Sequence, residues 1–394
     1  MPASPSTARA INDRSALELL RQQGPLTAGQ LKQLTGLSRP TIAGLVERLQ
    51  ESGLITVVGE AGAERRGPNA RLYGIVADRA QLAALDVRTE GLSAVVADLL
   101  GTVLAEKSLP IDDDTGTEPA VQHAVALLEA AVAESGAGRL HSVGIGAPGL
   151  VDPATGQLRD TTGLPAWHRR LVDVLRERLP AAVVVQNETN LAAVAEQRVG
   201  AVQDRDTFVM LWLGHGIGAA VMLDGSLRRG AGGGAGEIGF LPVPGAIGMP
   251  SASSCDGGFH SLVGAAAVCA LAAEYGIEAG AGDEAAAVAA VGQAASAPGE
   301  RRYAAYLDAL ADRLAIGVAS VAAILDPGCV LLGGAIGRAG AAALADRVER
   351  RAAALSPLRT EVRAGALGGT AVLRGALLTA QDMAHNDLFA PGKP

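Results

Sequence analysis

Two stretches of this 394-residue chain carry side chains whose types and spacing can do chemistry. The first is Asn187-Glu188-Thr189-Asn190, where an acid, two amides and a hydroxyl stand together. Such a set exchanges hydrogen bonds with the hydroxyl groups of a small polar molecule. It suits an Asx cap on the following helix equally well, and the stretch alone leaves both readings open. The second is cationic: Ser38, Arg39, Thr41, Gly44 and Arg48, followed by Arg65-Arg66. Arginines interleaved with small hydroxyl residues are the chemistry of phosphate and base-edge contacts.

Each set needs an element to position it. The β-branched run 183–185 reads as a buried strand, and residues 191–196 are strong helix formers. The polar tetrad therefore falls at the carboxyl end of a strand, where open α/β sheets take their ligands.

For the cationic set, residues 13–23 predict a helix stopped by Gly24-Pro25. Thr27 and Gln30 have capping-box spacing and open a second helix ending near Thr35-Gly36. Ser38 caps a third, with Pro40 in its first turn, where the missing N–H costs nothing. Ile42, Leu45, Val46 and Leu49 form one apolar stripe, leaving Arg39, Thr41, Gly44 and Arg48 on the opposite face. A strand over 54–58, a tip over 59–70 bearing Arg65-Arg66-Gly67-Pro68, and a return strand over 71–75 read as a wing. Residues 1–78 are thus expected to be a winged helix-turn-helix that binds duplex DNA. The plainer alternative is a three-helix protein-binding module with a solvated basic loop.

Charge agrees with the first reading. Residues 1–75 hold nine Lys/Arg and six acids, so this segment is +3 inside a chain of net −8. The remaining body is −11 and repels DNA, which confines nucleic-acid contact to the head. Aromatic content of 3% argues against a stacking platform for single strands. The sequence has neither a long uninterrupted apolar run nor a charged-then-apolar leader, so neither a membrane span nor a signal peptide is expected. Cys255, Cys269 and Cys329 are odd in number and far apart, which fits a reducing cytoplasm rather than a disulfide framework.

The body shows one pattern twice. Strands over 82–86 and 93–99, a third after Gly101, a helix over 120–135, a strand from 142 into a Gly/Pro loop and a helix over 171–179 precede the tetrad. After it come a strand over 207–213, the loop Gly214-His215-Gly216-Ile217-Gly218, a partner strand with the hairpin turn Asp224-Gly225, a helix over 304–325 and a strand from 330 into glycines. Two related lobes with a cleft between them follow.

In order along the chain, Gly144-Ile-Gly-Ala-Pro-Gly-Leu-Val-Asp152, Gly163-Leu-Pro-Ala-Trp167, Asn187-Glu-Thr-Asn190, Gly214-His-Gly-Ile-Gly218, Gly234-Ala-Gly-Glu-Ile-Gly239 and Val330-Leu-Leu-Gly-Gly334 resemble the ROK family (repressors, open reading frames, kinases). The helix-turn-helix with Gly36-Leu-Ser-Arg-Pro-Thr41 resembles that of its repressor branch. The resemblance implies an α/β fold, a winged helix-turn-helix followed by a two-lobed actin/hexokinase-like (ribonuclease H-like) body. Lobe one would span 79–196, completed by a C-terminal helix over 370–385, and lobe two 197–369.

It also implies what is altered. Family kinases carry a phosphate loop Asp-x-Gly-Gly-Thr; here Asp86 is followed by Val87-Arg88-Thr89-Glu90, without glycines and with an added acid. The family's catalytic Asp is Glu188, one methylene longer. The zinc cluster is reduced to Cys255, with Phe240 at the expected histidine, so no metal site is expected. The implied pocket comprises Gly149, Asn187, Glu188, Glu237 and His260, the last standing where the family has a sugar-binding Glu. His215 replaces a Thr of the second phosphate loop, Trp167 is read as core, and Gly333-Gly334 as inherited packing.

The expectation is a cytoplasmic, sugar-responsive transcriptional repressor without catalytic residues or cofactor. It would bind an operator and a carbohydrate or sugar phosphate as a homodimer or homotetramer, with no membrane partner. The alternatives are a sugar kinase that retains ATP turnover and a DNA-binding protein with a vestigial cleft.

Overall fold

The computed structural model describes residues 5–61, 70–89, 91–112, 114–159, 164–280 and 282–390. Arg65 and Arg66, like Glu90 and Gly163, lie outside these described residues.

The head is built as its caps dictate. Helix α1 (Pro5–Gln23) is followed by a two-residue strand β1 (Leu26–Thr27), α2 (Ala28–Thr35) and α3 (Arg39–Glu51). Thr27 and Gln30 exchange both capping-box hydrogen bonds, and Gly36 ends α2 at φ 70°, in the left-handed region. Strands β2 (Ile55–Ala61) and β3 (Ala70–Ile75) pair antiparallel, and β1 pairs with the other edge of β3. Leu17, Leu20, Leu31, Ile42, Leu45 and Leu49 are buried beneath them.

Helix α1 begins well before the expected Asp13. Its first turn starts on Pro5, a favoured first helical residue, and its outer face meets the body, where Arg14 donates to Asn386 Oδ1 at 2.9 Å. Local sequence holds no sign of that support.

Lobe one carries β4 (Gln81–Arg88), β5 (Gly91–Asp98), β6 (Val103–Pro110), α4 (Thr117–Ser135), β7 (Leu140–Ala147), α5 (Trp167–Arg178), β8 (Ala182–Asn187) and α6 (Glu188–Val199). Lobe two carries β9 (Phe208–Leu213), β10 (Ile217–Leu223), β11 (Ser226–Arg228), α7 (His260–Val263), α8 (Ala265–Glu274), α9 (Glu284–Ser296), α10 (Arg301–Leu325), β12 (Cys329–Gly333), α11 (Gly334–Leu355) and β13 (Glu361–Ala364). The last helix, α12 (Ala371–Leu388), returns to pack on β4, β7 and α6.

The two sheets repeat one topology, β6-β5-β4-β7-β8 and β11-β10-β9-β12-β13. In each, three antiparallel strands continue into two parallel ones. Strand β4 is buried from Leu82 to Val87 because both its faces are covered. Ala83, Leu85 and Val87 face α4 and α5, while Leu82 and Ala84 face α6 and α12. In β9, Val209 and Leu211 join the core under α8–α11, and Phe208 and Met210 join the layer around α6. Helices α6 and α12 thus form the layer between the sheets, and their apolar cluster runs on into the head. Their close approach needs glycine: a Cβ on Gly375 would stand 2.0 Å from the Leu191 carbonyl oxygen.

The chain crosses between lobes twice, after α6 and after β13, and one side chain ties both crossings. Glu196, 1% exposed, accepts hydrogen bonds from the backbone N–H of Ala201 (2.9 Å), Ala366 (3.1 Å) and Leu367 (2.8 Å).

Candidate functional site

On the head, Ser38 caps α3 by accepting from Thr41 N–H at 3.3 Å, and the two hydroxyls lie 2.8 Å apart. Ser38, Arg39 and Thr41 are exposed on the face opposite the buried Ile42–Leu45–Val46–Leu49 stripe, and Gly44 is half-exposed beside them. This is a helix with a seated back and a free polar N-terminal front. Arg48 is placed differently: its guanidinium pairs with Asp13 at 2.6 Å and fastens α3 to α1.

In the body, the β8–α6 junction brings the tetrad to the strand's carboxyl end. The cap reading of Asn187 holds. Its Oδ1 caps α6 by accepting from Thr189 N–H (2.9 Å) and Asn190 N–H (3.3 Å), and its Nδ2 donates to the Gly149 carbonyl at 3.0 Å. Gly149 stands at φ 99°, in the left-handed region. Glu188 is the first residue of α6 and is half-buried. Burial, together with the charges of Asp86, Glu284 and Glu237 and against the pull of Arg88, pushes its carboxyl up to about 7.

Side chains of the protein occupy the two turns expected to correspond to phosphate loops. At the β4–β5 turn, Arg88 donates to Asp86 Oδ2 through Nε (2.9 Å) and Nη2 (2.7 Å), and to the Gly369 carbonyl at 2.6 Å. Asp86 is 2% exposed; burial raises its carboxyl despite the guanidinium, and Oδ1 has no hydrogen-bond partner. His168 holds the turn from behind, Nε2 at 3.2 Å from the Arg88 carbonyl oxygen, and burial lowers it to about 4, which keeps it neutral. Trp167 packs edge-on against His168 and is 3% exposed, a core residue. At the equivalent β9–β10 loop, Glu284 accepts from His215 N–H at 2.8 Å. A side-chain carboxylate thus occupies this backbone donor.

His260 opens α7 and lies over Gly216 and Gly264; burial and neighbouring His215 lower it. Glu237 stands exposed at the rim, just before a 3₁₀ turn over Ile238–Phe240. Of the five residues expected in the pocket, Asn187 and Gly149 are joined directly by a hydrogen bond, and Glu237 lies close enough to Glu188 to raise its carboxyl. Sequence reading missed Glu284, which a helix-opening Asp283-Glu284 pair advertises only as a cap, and Glu196, an acid in register with the buried Ala192–Ala193 stripe. Among the described residues, no three His, Cys, Asp or Glu side chains converge as a metal requires.

A family model described as the ROK family matches residues 82–383, and one described as the MarR family matches residues 12–66. The DNA-binding transcriptional dual regulator NagC of Escherichia coli (strain K12) is 27% identical over 240 residues, 60% of this chain and 58% of that protein. The xylose repressor of Bacillus subtilis (strain 168) is 22% identical over 240 residues, 60% and 61% of the two chains. The chain spans about three fifths of the length of these curated relatives. Among solved structures, a ROK family transcriptional regulator described as a homologue of the E. coli MLC protein superposes with TM-score 0.76 at 22% identity, covering 97% of this chain and 98% of that one. A ROK family glucokinase from Streptomyces griseus, in complex with glucose and AMPPNP, gives TM-score 0.62 at 26% identity, covering 77% and 99%.

Proposed function

Because the chain belongs to the ROK family, we propose that it is a sugar-responsive, DNA-binding transcriptional repressor whose kinase-like body senses a carbohydrate without phosphorylating it. The observation that carries this reading is the pairing of a free recognition front on α3 with a body whose phosphate-loop positions are already occupied by Arg88 and Glu284. The relatives named as repressors support it, and so does the acidic charge of the body, which leaves the head as the DNA-binding surface.

The head docks α3 in a major groove, where Arg39 and Thr41 contact base edges and phosphates, Ser38 holds the helix start, and Gly44 permits close approach. The wing tip with Arg65 and Arg66 reaches the adjacent backbone or minor groove. Arg48, paired with Asp13, positions α3. A carbohydrate lies between Gly149, Asn187, Glu188, Glu237 and His260. It changes DNA affinity only by preferring one arrangement of the lobes. The working form is a cytoplasmic homodimer or homotetramer.

A kinase is the competing reading, because the likeness includes a glucokinase. Glu188 is a carboxylate in the base's place, but a charge-bearing Arg88 and a carboxylate at His215 N–H stand where ATP phosphates would be cradled. The test is selection of bound duplexes from a genomic fragment library by the full chain, run beside a coupled ADP-release assay over a sugar panel. Enrichment of a defined sequence without ADP release is the expected result. ADP release that depends on a hexose overturns it.

A further inference from the structure

We infer that the seam between head and body is a charge clamp with two seatings: the open one of this structure, and a closed one in which ion pairs exchange across the seam. The seatings themselves need no ligand; only their consequence for DNA rests on the function proposed above.

Helix α1 turns one stripe toward the body. Ile11, Arg14, Glu18 and Arg21 recur three and four residues apart, on a face turned away from Leu17 and Leu20, which are buried in the head. Asp382 and Asn386 of α12 and Arg198 of α6 form the facing wall, and a cleft of about 540 Å³ separates the two. The walls run in opposite directions. Arg14 donates across the seam to Asn386 Oδ1 at 2.9 Å. Two turns on, Arg21 is raised by its hydrogen bond to Glu18 and, more weakly, by the charge of Asp382 on the other wall.

In this seating each wall pairs its own charges. On α1, Arg21 holds Glu18 through two hydrogen bonds, the one from Nε at 2.9 Å. On the body, Arg198 holds Asp382 through two more, at 2.9 and 2.6 Å. Each wall therefore offers the other one cation and one anion, and exchange makes Arg21–Asp382 and Arg198–Glu18. Exposed ion pairs are individually weak, so trading two for two changes the energy little. Closure adds attraction among all four charges, and it covers Ile11, an apolar side chain 54% exposed at the cleft. It costs the freedom of the side chains that it orders. Neither seating therefore dominates by a wide margin.

The chain supplies a pivot beside the seam. Val76 N–H donates to the Leu54 carbonyl in the head at 3.0 Å, and Leu99 N–H in the body donates to the Ala77 carbonyl at 2.9 Å. Gln381 of α12 donates to the Leu99 carbonyl at 3.0 Å, so the body wall is fixed to that pivot. A rocking of α1 about it carries α3, which Arg48 fastens to Asp13, the residue before Arg14. The seating thus sets where the recognition front points.

Pulsed electron spin resonance on the full chain, without DNA or sugar, tests this. Nitroxides go on Gln33→Cys in α2 and Glu106→Cys in β6, both exposed positions, in a Cys255→Ser background, since Cys269 and Cys329 are buried. Labelled chain is diluted with unlabelled chain. The expected result is two distances, with the closed population falling about twofold or more between about 0.01 M and about 1 M salt, as the screening length drops from roughly 30 Å to roughly 3 Å. Glu18→Gln with Asp382→Asn, which removes both acids, should leave one distance at every salt concentration. Arg21→Asp with Asp382→Arg makes the α1 wall acidic and the body wall basic, and should make the closed distance dominant. A single distance unmoved by salt in the chain with its clamp residues intact overturns the inference. So do two distances that survive loss of both acids, or a swapped variant that stays at the open distance. None of these results bears on DNA binding or sugar sensing, which the earlier assays read separately.

Discussion

At the scale of single residues, the cleft is a problem in shared charge. Glu188 titrates near 7 instead of the usual 4.5 because burial and the nearby acids disfavour its anion. The folded protein therefore holds the proton more tightly than the unfolded chain. Stability from this group is full below pH 4.5 and is lost as pH rises toward 7. The loss is at most about 3 kcal/mol at 1.36 kcal/mol per pKa unit, and less to the extent that solvent screens the half-buried carboxyl. Glu188→Gln should flatten the difference in denaturation free energy between pH 5 and pH 8; a variant with the wild-type slope would contradict this placement. On the head, Arg39→Ala with Thr41→Ala should weaken operator binding by about 2–6 kcal/mol, from roughly 1–3 per base contact. Thermal unfolding should stay unchanged, because both side chains are exposed. The recognition front was legible in sequence because caps and an apolar stripe are local signals. The Arg48–Asp13 pair was not, since its partners are 35 residues apart and only the packing of α3 on α1 joins them.

At the scale of elements, α6 and α12 do the most. Each has its first turn beside the cleft and its last turns beside the head. Glu188 opens α6, and Gly369, which receives Arg88, lies in the 3₁₀ turn Gly368–Thr370 that leads into α12. At their far ends Arg198 and Asp382 form a two-pronged ion pair at 2.6 and 2.9 Å. A cleft of about 540 Å³ there is lined by Arg14, Glu18 and Arg21 from α1 and by Asp382 and His385 from α12. Glu196 ties the two interlobe crossings through three backbone donors. Glu196→Gln turns one acceptor into a donor and leaves at least one buried N–H unpaired. It should lower the free energy of unfolding by about 1–3 kcal/mol, measured by chemical denaturation. Gly375→Ala pushes a methyl into the Leu191 carbonyl and should cost a similar amount, about 1–3 kcal/mol, by forcing α12 off α6. Most strands and helices that the sequence reading named were readable to within a few residues from period and turn chemistry, although α1 starts earlier than expected and α8, α9, α11 and β13 were not read. The close approach of α12 to α6 was not, because a lone glycine in a helix looks the same whether it faces solvent or a carbonyl.

At the scale of the whole molecule, head and body share one apolar cluster, so the head is seated on the body instead of hanging from a linker. In the proposed sensing function, a ligand that shifts α6 and α12 would change where α3 points, because the head packs on the same cluster. In a symmetric dimer, two protected half-sites should appear about one helical turn, roughly 10–10.5 base pairs, or a multiple of it apart in a footprint. Affinity should fall steeply with added salt, as expected where a cationic head with an acidic body releases counterions from DNA. A footprint of one isolated half-site would count against the symmetric assembly.

The amino-acid sequence alone determined the head, its caps and its exposed front, and the repeated two-lobe pattern. These are consequences of neighbours within one or two turns of chain, where side-chain type and spacing set the hydrogen bonds and the buried face. The tertiary structure alone decided that Glu284 sits on His215 N–H, that Arg88 is bound to Asp86 and Gly369, that Glu196 ties both crossings, and that α1 extends to Pro5 against the body. Each of these joins groups from separate elements. Their meeting depends on how two twisted sheets and the helices between them stack, a property that no local pattern encodes.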